Sequence, residues 1–116
     1  MQAQTQNCGF LNTELETPTL NVMMNVRCPA GLGCPSEEDV ITTVIQPLPI
    51  HILTIFDGSA EGTPVNIIAN MPYHIAFGNR VPEGLDSFIA LSPECGHELA
   101  AGETATCTTI LIFFVP

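Results

Sequence analysis

The sequence predicts an all-β fold: an antiparallel β-sandwich of about seven strands, residues 18–116, behind an N-terminal arm, residues 1–17. Three observations predict it. Short runs of alternating or β-branched apolar residues recur along the chain, separated by turns rich in Gly, Pro and Asp. No apolar stretch holds a sustained helical period. Cys95 and Cys107 bracket a short polar loop with Gly102 at its turn, the spacing of a strand, a turn and a stapled return strand.

The elements follow in order. Residues 1–17 are polar, and Cys8, Phe10, Leu11 and Leu15 are their only sizeable apolar groups, so they read as an arm rather than core. Pro18 ends the arm. Leu20, Val22, Met24 and Val26 alternate with Asn21, Met23, Asn25 and Arg27, which predicts a half-buried first strand. Cys28-Pro29-Ala30-Gly31-Leu32-Gly33-Cys34-Pro35 is a tight loop whose cysteine spacing suits a local disulfide. Val40–Gln46 is a second strand, and Pro47 and Pro49 interrupt the chain after it. Ile50–Phe56 is a third, and 57–62 a turn. Val65, Ile67 and Ala69 begin a fourth, Tyr73, Ile75 and Phe77 form a fifth, and Leu85–Leu91 a sixth. The seventh is the return strand, with Cys107 opening the β-branched run Thr108–Val115.

Composition bounds the function. A chain of 116 residues with 46% apolar content builds one core and is not disordered. Five cysteines point to an oxidising compartment, hence to an extracellular or cell-surface location, although Met1–Gln6 lacks the basic start and apolar stretch of a signal peptide. We expect disulfides Cys28–Cys34 and Cys95–Cys107. Cys8 is left over for an intermolecular bond or a free thiol. Zinc is the rival use, but no C-x-x-C pair exists. Twelve acidic residues face two arginines and no lysine, a net charge of -10. That balance argues against nucleic acid and anionic membranes as partners. It leaves plain solubility, or divalent cations held between acidic surfaces. The apolar run Ile110–Val115 is far too short to insert across a bilayer as a helix.

No catalytic constellation appears among these residues. His51, His74 and His97 are the only imidazole bases, and no G-x-S-x-G elbow or Gly-Lys-Ser/Thr phosphate loop occurs. The histidines come from different segments that a sandwich could bring together on a metal. Asp57 and Glu61 invite a calcium reading, though a calcium-binding loop needs more acidic positions. Glu37-Glu38-Asp39 reads as a solvated turn. Six Phe, one Tyr and no Trp weaken a sugar-binding platform. We expect no enzyme, no cofactor and no resident metal.

The order of Thr19–Val26, the Cys28–Cys34 loop, the stretch Phe56–Val65, Pro72-Tyr73-His74-Ile75 and Leu99–Thr108 resembles the prealbumin-like (B-type, collagen-adhesin-like) sandwich repeats of archaeal and bacterial surface proteins. The resemblance covers about residues 19–109 and implies an Ig-like sandwich that spaces or builds surface structures. The chain departs from that pattern twice. It has no lysine for an intramolecular Lys–Asn crosslink, and it stays apolar through Ile110–Val115. In a strand, Ile110, Ile112 and Phe114 turn one way and Thr109, Leu111 and Phe113 the other, so neither face is polar. We therefore expect a structural subunit that joins other copies of itself head-to-tail. Its terminal strand would be buried on both faces, with Phe10, Leu11, Leu15, Ile110, Ile112 and Phe114 at the subunit interface. The alternative is a carbohydrate- or surface-binding adhesin module of a larger secreted protein.

Overall fold

A computed structural model describes residues 17–47 and 51–116. Among the described residues the fold is all-β, with seven strands in two sheets. They are β1 (Thr19–Arg27), β2 (Ile41–Gln46), β3 (Ile52–Asp57), β4 (Thr63–Asn66), β5 (His74–Gly78), β6 (Asp86–Leu91) and β7 (Thr104–Phe114). The four-stranded sheet has the order β4-β1-β7-β6, and the three-stranded sheet β3-β2-β5. Alternation along each strand places one face of each sheet in a shared core. Leu20, Val22, Val44, Val65, Tyr73, Leu99 and Cys107 fill one half of it, and Met24, Val40, Leu111 and Phe113 the other.

The first and last strands lie side by side and run parallel, from Thr19↔Thr104 to Arg27↔Ile112. Every other pairing is antiparallel. A parallel pair needs a long connection, which here is the rest of the chain. The pair gives the molecule two distinct poles. We call the end where β1 and β7 begin the entry pole and the end where they finish the exit pole.

Local chemistry moves several boundaries from their expected places. The fourth strand ends at Asn66 instead of running through Ala69. The side chain of buried Gln46 accepts from the Ile68 N–H and donates to the Ile68 and Met71 carbonyls, and Asn70 turns left-handed at φ 60. Those bonds hold the chain in a turn where a ladder would need it straight. The third strand starts at Ile52, after His51 at φ 59 donates its N–H back to Pro47. Ile50, expected to open that strand, lies outside the described residues. Cys95 sits in a 3-10 turn, Pro93–Cys95, rather than on a strand. Pro93 has no N–H for the ladder, and the Ser92 hydroxyl takes the Thr108 N–H instead. The turn at 57–62 needs Gly58, because a Cβ there would run into the Glu37 carbonyl.

Candidate assembly surface

Both expected disulfides form. Cys95–Cys107 has its Cα atoms 4.6 Å apart and is buried in the core. Cys28–Cys34 spans 6.3 Å at the exit pole, in a loop tied to the β5–β6 connection by Arg80 Nη2 donating to the Gly33 carbonyl. Cys8, Phe10, Leu11 and Leu15 lie outside the described residues.

The histidines do not form a constellation. His51, His74 and His97 are all exposed, and His97 packs its ring at 5.7 Å against Tyr73. Among the described residues, no group of three or more His, Cys, Asp or Glu could hold a metal ion. In the turn at 57–62, Glu61 bonds Ser59 through both its carboxylate and its N–H. Tyr73 is buried, and its part-buried hydroxyl donates to the Glu94 carbonyl at 2.5 Å. Burial first, then the negative charges of Glu103 and Glu94, push its pKa above the usual 10.0. This tyrosine anchors the entry-pole loop, since its N–H also donates to the His97 carbonyl.

The two faces of β7 differ sharply. Thr109, Leu111 and Phe113 point inward and are buried, and the Thr109 hydroxyl donates to the Met23 carbonyl. Ile110 and Ile112 are half-buried on the outer face, and Phe114 is 37% exposed. Register places Ile112 opposite Phe88 and Ile110 opposite Ala90 on β6. Phe88 is 53% exposed and meets Phe114 edge-on at 5.8 Å between centroids. The outer face of β6–β7 is thus an apolar patch that runs toward the exit pole, where Asp86, opposite Phe114, borders it. Phe88 escaped the sequence reading, although the run Phe88-Ile89-Ala90-Leu91 is apolar on both faces and carried the signal. The outer face of the smaller sheet was missed too. Ile41, Leu53 and Ile55 are exposed there.

Backbone edges decide where another strand could add. β7 is an inner strand, bonded to β1 on one side and β6 on the other. Strand addition therefore cannot use β7 along its paired length, and its contacts there are made by its outer face. Beyond Thr63, where β4 begins, the Ser59 carbonyl takes the Met24 N–H and the Glu37 carboxylate takes the Val26 N–H. That side of β1 is closed by these bonds, and β4 itself carries Pro64. The other edge of the large sheet is β6, which holds no proline and only Asp86 as a charge.

Comparison with family models, with characterised proteins and with solved structures found no match. No helix among the described residues is long and apolar enough to cross a membrane.

Proposed function

We propose that this chain is a non-enzymatic structural subunit of an extracellular or cell-surface filament or layer, joined head-to-tail to copies of itself. One observation carries the reading. An outer sheet face made of Phe88, Ile110, Ile112 and Phe114 stands partly open at one pole of the molecule. Natural proteins usually cover such a face. The parallel β1–β7 pair supports a polar assembly, because the two chain ends leave the sandwich at opposite poles. A contact between unlike poles is heterologous and does not close, so it propagates as a fibre. The two disulfides support an oxidising compartment, and the prealbumin-like resemblance fits a building or spacing role.

The test is negative-stain microscopy of three proteins: the parent, Ile112→Ser with Phe114→Ser, and a chain lacking residues 1–16. Burial of each large apolar side chain is worth roughly 1.5–3 kcal/mol before association costs. Loss of two should abolish assembly, and because both side chains point outward the sandwich should stay folded. We expect fibres from the parent and folded monomers from both variants. Variants that assemble like the parent would overturn this mechanism.

A further inference from the structure

We propose that the free edge of β6 (Asp86–Leu91) is the docking site for residues 8–15 of a second copy, added as an antiparallel strand. The inference rests on the assembly reading above and names its contact.

The edge is defined by hydrogen-bond phase. Ser92 donates its N–H to the Thr108 carbonyl, continuing the β6–β7 register. Antiparallel pairs alternate, so Ala90, Phe88 and Asp86 also bond toward β7. Ser87, Ile89 and Leu91 then turn their N–H and C=O groups outward, where no described strand meets them. The core is open along the same line. Leu91 faces inward opposite Thr109, yet Leu91 is 48% exposed and Thr109 is 0%. Ile89 and, from the facing sheet, Phe77 are only half-buried against Leu111 and Phe113. One more strand would cover this seam.

The occupant follows from where the chain enters. Pro18 donates no N–H, its carbonyl takes the Ile67 N–H, and Thr19 donates to the Glu103 carbonyl. A residue before proline is held extended. Thr17 therefore favours an extended backbone where the chain joins β1 at the entry pole. In the proposed head-to-tail stack, residues 8–15 would run along the neighbour in the direction of β1. That direction is antiparallel to β6, because β1 is parallel to β7 and β7 antiparallel to β6. It is parallel to the other sheet's edges, β3 and β5, since β2 starts at the exit pole beside the Glu37 contact with β1. β4 has the right direction but carries Pro64.

Residues 8–15 suit the site in length and pattern. Eight extended residues span about 27 Å against about 20 Å for six on β6. Their only charge is Glu14. In an added strand Leu11 and Leu15 would share one face, for the seam beside Ile89 and Leu91, and Phe10 would take the other, beside Phe88.

The test uses the full chain in two variants. One is the parent, which keeps Cys8. The other carries Cys8→Ser and Ala90→Cys, placing a thiol on the outward, exposed side of β6. The two are mixed under mild oxidation and mapped by non-reducing peptide analysis. We expect a link between Cys8 and the thiol at position 90, which here can only join two chains. A third variant, Ser87→Pro, removes an outward N–H without touching the β6–β7 ladder, and should lose fibres while keeping the parent's circular dichroism. Parent fibres, with no such link in the mixture and fibres still formed by Ser87→Pro, would overturn the β6 site and leave the assembly reading standing. An intrachain link in Ala90→Cys with its own Cys8 kept, and none in the mixture, would show that each arm covers its own β6 and would also overturn the proposal. A parent chain that never assembles would overturn both.

Discussion

Tyr73 is the side chain on which the entry pole turns. Its ring is buried in the core, its hydroxyl is spent on the Glu94 carbonyl, and its N–H on the His97 carbonyl. Tyr73→Phe keeps the packing and leaves a carbonyl without its donor, so it should cost about 1 kcal/mol in urea unfolding. The same group sets an alkaline limit. Its folded pKa lies above the unfolded 10.0, so the folded state holds the proton more tightly. The associated stability is fully present below pH 10.0 and is lost as pH rises through the folded value. Unfolding curves of the parent should therefore weaken above pH 10, and those of Tyr73→Phe should weaken less. Sequence alternation marked Tyr73 as inward. It could not show that Gln46, an apparently ordinary polar residue at a strand end, is buried and bonded three times to the 68–71 turn. Those partners lie more than twenty residues away in the chain, beyond the reach of any local pattern.

The disulfides belong to the scale of elements, and they should behave differently. Cys95–Cys107 clamps the 3-10 turn onto β7 inside the core, with both sulfurs' residues almost fully buried. Cys28–Cys34 closes an exposed loop. Thiol attack needs access to sulfur. Graded reduction followed by alkylation and peptide mapping should open Cys28–Cys34 first, and Cys95–Cys107 only with unfolding. Replacing Cys95 and Cys107 together by Ala should cost about 3 kcal/mol, the scale for a staple of this loop length. Equal rates of reduction would contradict the burial argument. Both pairs were legible because the cysteines bracket turn residues, and most strands were legible because their side chains alternate. The parallel β1–β7 pair was not. Pairing of the first strand with the last is a long-range choice, and alternation is the same in parallel and antiparallel ladders. That choice also made β7 an inner strand, so the apolar C-terminal run marked an outer face, and the open edge fell to β6.

At the scale of the whole molecule, charge and apolar surface oppose each other. Arg27 and Arg80 both lie toward the exit pole, but so do Glu37, Glu38, Asp39, Asp57 and Asp86. Glu94, Glu98 and Glu103 sit in the loop at the entry pole. Stacking unlike poles therefore sets acid against acid on a chain of net charge -10. The apolar patch on β6–β7 and the proposed added strand must overcome that repulsion. Salt weakens only one side of this balance. Raising it from about 0.01 M to about 1 M shortens the screening length from about 30 Å to about 3 Å. Burial of Phe88, Ile112 and Phe114 is not screened by ions and is, if anything, favoured by excluded salts. Assembly should therefore strengthen with salt, and millimolar divalent cations should act beyond their ionic strength if they bridge facing carboxylates. Light scattering at fixed protein concentration across sodium chloride, with magnesium or calcium chloride at matched ionic strength, measures both effects. Fibres that dissolve as salt rises would mean that attraction between opposite charges holds them, and Arg27 and Arg80 would then be the residues to replace. Fibres indifferent to salt would leave apolar contact and strand pairing as the only forces that matter at the junction.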